Sequence, residues 1–102
     1  SRSFQVIGTP VPTNLSPDNN TVVNLPVHLS WSMSGPADSY QVYVWVKDST
    51  GRWKPFGSYV PTQNSLLLPQ PIPNAEYGFR VYAHGALGWS QPSEWANFKT
   101  GP

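Results

Sequence analysis

Residues 75–89 read AEYGFRVYAHGALGW. Apolar side chains recur at every second position, at Tyr77, Phe79, Val81 and Ala83. Positions of the other parity carry large polar and aromatic side chains, namely Arg80, Tyr82 and His84. A period of two is typical of a β-strand that faces a core on one side only. The stretch therefore predicts a strand with Tyr77 in the core and an unusual set of side chains on its outer face.

The composition of the chain favours strands over helices. Its 102 residues are enough for one domain with a modest core. Charged residues make up 11% of the chain, against about 25% in an average soluble protein. The 12 prolines and 8 glycines interrupt helices, and the apolar spacing is two rather than three and four. We therefore expect short strands joined by turns.

Prolines and glycines divide the chain into seven short apolar segments. They lie at residues 10–15, 27–31, 40–47, 52–59, 65–68, 75–89 and 94–100. Short segments at fairly even spacing are typical of an antiparallel sandwich or barrel. The first segment has prolines around it and is predicted to be an edge strand. Alternation in the other segments predicts further core side chains at Val27, Leu29, Trp31, Tyr40, Val42, Val44, Val46, Ala96 and Phe98.

The order of these segments resembles the fibronectin type III family over nearly the whole chain. The stretches that carry the resemblance are PTNLSP, VHLSW, YQVYV, AEYGFRVYAHGALGWSQPS and FKT. Trp31 matches the family's buried tryptophan, and Tyr77 matches the tyrosine whose hydroxyl ties down the preceding corner. The resemblance implies an all-β fold, an immunoglobulin-like seven-stranded antiparallel β-sandwich of fibronectin type III topology. The domain is expected at residues 10–102, with residues 1–9 as an N-terminal linker or edge segment.

In this fold the third, sixth and seventh strands share one sheet, joined by the short strand at residues 53–59. Combining the parities predicts one outer face that carries most of the aromatic side chains outside the core. Its candidate binding residues are Tyr43, Trp45, Trp53, Arg80, Tyr82, His84 and Trp95. Phe56 is an alternative to Trp53 at the edge. Because soluble monomers seldom leave large apolar patches open, we expect something to cover this face.

Three coverings are compatible with these residues. The side chains can cover one another, with Arg80 stacked among the aromatic rings. A neighbouring domain of the same polypeptide or a partner protein can dock there, since Tyr, Trp and Arg are enriched at interface hot spots. Alternatively the face binds a polysaccharide whose sugar rings stack on Trp and Tyr. Arg80, Gln41 and Asn97 would then bind the sugar hydroxyls.

Several classes of partner and cofactor find no support in the sequence. The net charge is +1 and the six basic residues are scattered, so no nucleic-acid partner is predicted. Apolar runs reach five residues at most, too few to span a membrane. The chain has no cysteine and thus neither a disulfide framework nor a Cys-based zinc site. No cofactor and no metal site are predicted.

The titratable residues do not predict an enzyme. His28 and His84 lie on strands of opposite sheets in the expected fold, so they do not form a pair. No two carboxylates share a parity on one strand, which argues against an acid and base pair of the glycosidase kind. His84 with Ser90 or Ser93 lacks a positioned acid for a triad.

These features together predict a non-catalytic extracellular module, secreted or at the cell surface, within a larger multidomain protein. Few lysines, no cysteine and many Asn, Gln, Thr and Pro residues suit a bacterial secreted protein. The module is expected to act as a spacer and a protein-binding surface. The alternative is an accessory module that binds carbohydrate through its aromatic face.

Overall fold

The structure, a computed structural model, describes residues 9–102. Over these residues it has nine β-strands and no helix. The strands are β1 (Thr13–Ser16), β2 (Thr21–Val23), β3 (His28–Ser32), β4 (Ser39–Lys47), β5 (Trp53–Tyr59), β6 (Ser65–Leu67), β7 (Glu76–Gly85), β8 (Gly88–Trp89) and β9 (Ala96–Thr100). The described part of the chain contains no helix that could cross a membrane. Residues 1–8 of the predicted linker at 1–9 lie outside the described residues.

The strands form two sheets that pack as a sandwich. One has the order β1-β3-β6, and the other has the order β2-β9-β7-β4-β5 with β8 paired to β7. The predicted all-β sandwich is confirmed, and each of the seven predicted segments overlaps a strand. The predicted edge strand, β1, lies at the edge of its sheet. β2 and β8 were not predicted, because strands of three and two residues are too short to show alternation.

The core consists of the inward-facing side chains of the long strands. Along β7, Tyr77, Phe79, Val81 and Ala83 have no exposed surface. Each faces β4 across an antiparallel register in which Val42 pairs with Val81. The remaining buried apolar side chains are Val27, Leu29, Trp31, Tyr40, Val42, Val44, Val46, Leu68, Ala96 and Phe98. The opposite parity of β4 and β7 thereby points away from the core, onto one outer face.

The corner before β7 is fixed by Tyr77 and Thr100. The Ile72 backbone N–H donates to the Tyr77 hydroxyl at 2.7 Å, as the family resemblance predicted. The Thr100 hydroxyl donates to the Ile72 carbonyl at 2.6 Å and accepts the Ala75 N–H at 2.9 Å. Burial raises the pKa of the Tyr77 phenol, because the low-dielectric core disfavours the charged form. These bonds anchor the segment that leads into β7.

A bulge in β5 decides which of its aromatic residues faces outward. Val44 pairs with Gly57, but the next residue, Trp45, pairs with Pro55, so Phe56 is the extra residue. On the Trp53 side of this extra residue, the β5 positions that face inward and outward are exchanged. Trp53 therefore pairs with outward-facing Lys47 and lies on the outer face.

Two serines complete the edge of β7 where β9 stops pairing with it. The β7–β9 register runs only from Glu76 to Phe79. Beyond it, the backbone N–H groups of Val81 and Ala83 donate to the hydroxyls of Ser93 and Ser90, both at 2.9 Å. The same two serines donate their own N–H groups to the Val81 and Ala83 carbonyls. Side chains thus replace a strand partner and satisfy buried backbone groups.

Candidate binding face

The outer face of the sheet that contains β7 carries a continuous row of aromatic rings. The aromatic row consists, in order of contact, of Trp53, Trp95, Trp45, Tyr43 and Tyr82. Successive ring centroids lie 5.3, 5.4, 6.1 and 5.6 Å apart. Aromatic pairs at such separations stabilise a fold by about 0.5–1.5 kcal/mol each beyond the area they bury. The rings therefore form one packed unit.

Gly78 allows Trp95 to reach the aromatic row. Trp95 precedes β9, whereas Trp45 lies on β4, and β7 runs between these two strands. Gly78 is the β7 residue opposite Trp45. A Cβ atom at Gly78 would overlap the indole of Trp95. The missing side chain lets the indole lie across β7 and contact β4.

Basic side chains pack on two rings of the aromatic row. The Arg80 guanidinium carbon lies 5.2 Å from the Trp45 ring centroid. The Arg80 Nε is buried and has no hydrogen-bond partner among the described residues. Lys47 Nζ lies 5.2 Å from the Trp53 centroid and 3.4 Å from Glu76 Oε2. Cation–π contacts at exposed sites contribute about 0.5–1 kcal/mol each, so these cations stabilise the row.

A second cluster lies beyond the tyrosine end of the row. His84 Nδ1 lies 2.8 Å from Asp38 Oδ1, and the His84 ring packs edge-on against Trp89 with centroids 4.7 Å apart. The hydrogen bond with His84, followed by that with Ser39, lowers the pKa of the Asp38 carboxyl. Trp89 pairs with His84 in the β7–β8 hairpin and is 51% exposed. The exposed indole of Trp89 thus packs against His84, which is in turn hydrogen-bonded to Asp38.

A groove separates Trp89 from the two tyrosines of the aromatic row. This Trp89 groove has a volume of about 310 Å³. It is lined by Gln41, Tyr43, Tyr82, Trp89 and Ser90. None of these side chains is charged at neutral pH. The groove therefore presents aromatic rings together with neutral hydrogen-bonding groups.

The fold of this chain has counterparts in known proteins. The family model of the fibronectin type III domain matches residues 10–99 of this chain. The chain belongs to the fibronectin type III family. Domains of this family are modules typically found in larger multidomain proteins and are generally non-catalytic.

Solved structures share the fold at low sequence identity. A myokine structure has a TM-score of 0.70 and 21% identity, covering 93% of this chain and 100% of that one. The third fibronectin III domain of human KIAA0343 protein has a TM-score of 0.64 and 20% identity, and the match covers 99% of this chain and 90% of that domain's chain. A Fn3-like protein from Clostridium thermocellum has a TM-score of 0.63 and 19% identity, covering 93% and 97%. These likenesses show the fold alone, and a comparison with curated proteins found no match.

Beside the His84–Asp38 pair of this fibronectin type III domain, Ser39 pairs with His84 across the sheet but donates its hydroxyl to Asp38 Oδ1 at 3.0 Å rather than to the His84 ring. The sequence predicted no acid positioned for His84, and the structure corrects this, because Asp38 Oδ1 lies 2.8 Å from its Nδ1. Ser90 and Ser93, however, accept backbone N–H groups of β7 and donate their hydroxyl protons to the Gln91 and Glu94 carbonyls. Since both hydroxyls are engaged with backbone groups, the arrangement is not a serine triad.

Acidic side chains do not assemble a metal site in the described residues. Over residues 9–102 no three His, Cys, Asp or Glu side chains form a group that could hold an ion. Asp18 Oδ1 accepts the Asn97 backbone N–H at 3.0 Å, and Asn20 Oδ1 accepts the Asn97 side-chain amide at 2.6 Å. These bonds tie the loop before β2 to β9.

A wider cleft lies on the other side of Trp95, against β1. Its volume is about 620 Å³, and Trp95 is the one aromatic residue among those that line it. The rest of its lining comes from residues 11–15, from turn residues Asp18 and Asn19, and from Pro92, Glu94 and Ala96. Because Asp18 already bonds to Asn97, the outer face is the stronger candidate for a binding site than this cleft.

The structure places all seven predicted face residues on the outer side of this domain. They are Tyr43, Trp45, Trp53, Arg80, Tyr82, His84 and Trp95. Phe56, the alternative to Trp53, lies on the inner side instead, with its ring centroid 5.1 Å from that of buried Tyr77. The bulge in β5 causes this difference.

Trp89 was missing from the predicted set. It follows a turn rather than a periodic segment, so alternation did not assign it to a face. A hairpin with a two-residue turn after Gly85 would have predicted its place, because such a turn pairs Trp89 with His84. The predicted sugar partner Asn97 is already bonded to Asn20, whereas Gln41 lines the Trp89 groove.

Proposed function

We propose that this domain is a non-catalytic extracellular module that spaces and docks neighbouring parts of a larger polypeptide. The docking surface is the aromatic row, and its occupant is a neighbouring domain of the same polypeptide; a separate partner protein is the other occupant to be tested. The observation that carries the proposal is the exposure of Trp53 and Trp95, 38% and 42%, at one end of a row whose rings already pack together.

The charges of the face suit an apolar contact. Glu76 lies beside Lys47, and Asp38 lies beside His84. Burying an unpaired charge is expensive, whereas a charge that already has a partner is less so. A docking domain can therefore cover the tryptophans without isolating either carboxylate. Tryptophan, tyrosine and arginine, the residues that dominate this face, are enriched at the centres of interfaces.

The extracellular location is part of the proposal. It rests on the composition, which has no cysteine and only three lysines among 102 residues. Fractionation of the source cells, followed by detection of the chain in medium, envelope and cytoplasm, tests it. Recovery of the chain in the cytoplasmic fraction alone would refute this location.

Hydroxyl-radical footprinting tests the docking proposal residue by residue. The isolated domain is compared with the natural polypeptide that contains it, and oxidation is read by mass spectrometry. We expect Trp53 and Trp95 to be protected in the longer polypeptide. Leu67, which is 55% exposed on the opposite sheet, is the internal control and should react equally in both. Equal oxidation of the two tryptophans in both samples would refute docking on the row by a neighbouring domain.

Docking by a separate partner protein has its own outcome in the same assay. In that case Trp53 and Trp95 would be oxidised in the longer polypeptide alone as in the isolated domain. They would be protected from oxidation only after an extract of the source organism is added to the domain. That result would retain the aromatic row as a docking surface and change its occupant.

A second candidate function is carbohydrate binding by the same outer face. It is favoured by the presence of three partly exposed tryptophans, Trp53, Trp89 and Trp95, on one side of the molecule. Flat indole faces can stack on the apolar C–H faces of sugar rings. Pull-down with insoluble polysaccharides and a glycan array test this candidate with the wild-type domain and the Trp45→Ala and Trp95→Ala variants. Absence of retention of the wild-type domain on every glycan would reject it.

A further inference from the structure

The tryptophans of the Trp89 groove and of the aromatic row differ in how much of their ring surface contacts other aromatic rings. In the row, Trp95 contacts Trp45 and Trp53, so much of its ring surface is occupied by neighbouring rings. Within residues 9–102, the ring in contact with Trp89 is that of His84, and Trp89 is 51% exposed. Trp89 is therefore the most exposed of these tryptophans, against 42% for Trp95 and 38% for Trp53.

The indole of Trp89 is held in place although much of it is exposed. The Thr9 hydroxyl donates to the Gly88 carbonyl at 2.7 Å, next to Trp89. Gly88 has a φ of 98°, a left-handed conformation that glycine adopts without strain and that closes the hairpin tightly. The His84 ring, itself bonded to Asp38, supports the indole from one side. A side chain fixed before binding loses less conformational entropy when a ligand arrives.

The lining of the groove selects a neutral ligand that has both an apolar face and hydroxyl groups. The rings of Trp89, Tyr43 and Tyr82 offer apolar surface. The Gln41 amide can donate and accept hydrogen bonds, and so can the two phenol hydroxyls. Among the described residues, none of the five side chains that line the groove offers a charge that would favour an anion or a cation.

The size of the groove limits the ligand to about one ring. Its volume of about 310 Å³ lies at the lower end of small-molecule sites, which span about 300–1,000 Å³. A pyranose fits this description, because one face of its ring carries C–H groups while its rim carries hydroxyls. A proline-rich peptide fits less well, because proline amides have no N–H for the Gln41 carbonyl to accept.

We propose that the Trp89 groove binds one neutral pyranose unit of a polysaccharide, with the sugar ring stacked on Trp89 and its hydroxyls bonded by Gln41 and the two tyrosines. This inference rests on the second candidate function and narrows it. It moves the sugar site from the aromatic row to the groove. The row remains available for a docked domain.

Affinity measurements on a panel of neutral oligosaccharides test the assignment. Isothermal titration with gluco-, manno-, galacto- and xylo-oligosaccharides identifies a binding member of the panel. We expect Trp89→Ala to weaken its binding by about tenfold or more, as expected for loss of a binding hot spot. Leu87→Ala is the matched control, because Leu87 is 63% exposed in the same hairpin and does not line the groove. It should bind as the wild type does.

A second variant and a spectroscopic reading keep the test independent of folding. Gln41→Ala should also weaken binding, and its far-UV circular dichroism should match that of the wild type. In the wild-type domain the sugar should shift the indole N–H resonance of Trp89 and leave that of Trp53 in place. These two results support the groove even if the Trp89 variant folds poorly.

The remaining outcomes separate the groove from the broader sugar function. Binding that is lost in Trp95→Ala and kept in Trp89→Ala would overturn the groove and leave carbohydrate binding on the aromatic row. No binding of any panel member would overturn both sugar proposals, without bearing on docking. Binding of a proline-rich peptide in place of sugars, lost in Trp89→Ala, would overturn the ligand class and retain the site.

Discussion

Replacing Gly78 by alanine tests the packing that assembles the aromatic row. The added methyl group would overlap the indole of Trp95, which lies directly over this position. The atoms nearest to the new Cβ all belong to Trp95. The indole must therefore move off β7, and its contacts with Trp45 and Trp53 are lost.

The size of the effect follows from two opposing terms. Trp95 has ring centroids 5.4 Å from Trp45 and 5.3 Å from Trp53, and losing two such pairs costs about 1–3 kcal/mol. Alanine in the middle of a strand is more favourable than glycine by about 0.5–1 kcal/mol. We expect Gly78→Ala to lower the free energy of unfolding by about 1–2 kcal/mol. At about 4–8 °C per kcal/mol for a domain of this size, the melting temperature should fall by roughly 5–15 °C.

A double-mutant cycle separates this mechanism from a general intolerance of alanine in β7. Urea unfolding followed by far-UV circular dichroism is measured for wild type, Gly78→Ala, Trp95→Ala and the double variant. Once Trp95 is removed, the methyl group has room, so Gly78→Ala should become neutral or stabilise the domain by about 0.5–1 kcal/mol. An equal loss of stability in both backgrounds would show that Trp95 does not lie over Gly78, and the row would be wrong.

Three further predictions concern hydrogen bonds that fix the fold. Tyr77→Phe removes the acceptor of a corner N–H and should destabilise the domain by about 1–3 kcal/mol in urea unfolding; an unchanged midpoint would contradict the corner. Ser93→Ala leaves the Val81 N–H without its side-chain acceptor and should cost a similar amount, whereas Ser93→Thr, which retains a hydroxyl, should restore part of it. The His84 hydrogen bond lowers the pKa of Asp38, so its stabilising contribution is present above the ordinary value of 3.8 and lost as the pH falls through the lower folded value; an NMR titration of the carboxyl with a midpoint at or above 3.8 would disprove this.

Much of the fold could be predicted because the signal lies in consecutive residues. Alternation through Tyr77, Phe79 and Val81 reports burial on one side, whatever the partner strand is. Alternation failed where the chain departs from regular pleating. The sequence could not decide between Trp53 and Phe56 at the edge of the face, because a bulge changes parity without any change in composition.

The candidate site was harder to predict than the strands that carry it. The sequence placed Arg80 and Trp45 on one face, but the support of Trp89 by His84 and Asp38 joins residues as many as 51 positions apart. Such contacts depend on sheet register and on turn geometry rather than on local pattern. The roles of Ser90 and Ser93 were missed for the same reason, since they act where β9 stops pairing with β7.

The sequence by itself determined which side of β4 and β7 faces the core and, with it, the outward direction of Arg80. These features follow from side-chain alternation, which is a local property of the chain. The choice of the sandwich and the corner at Tyr77 were implied by the resemblance to the fibronectin type III family. Only the tertiary structure decided that the indole of Trp95 crosses β7 over Gly78 and that Trp89 borders a groove. Both depend on which strands become neighbours, and residues distant in sequence meet only once the sheets have formed.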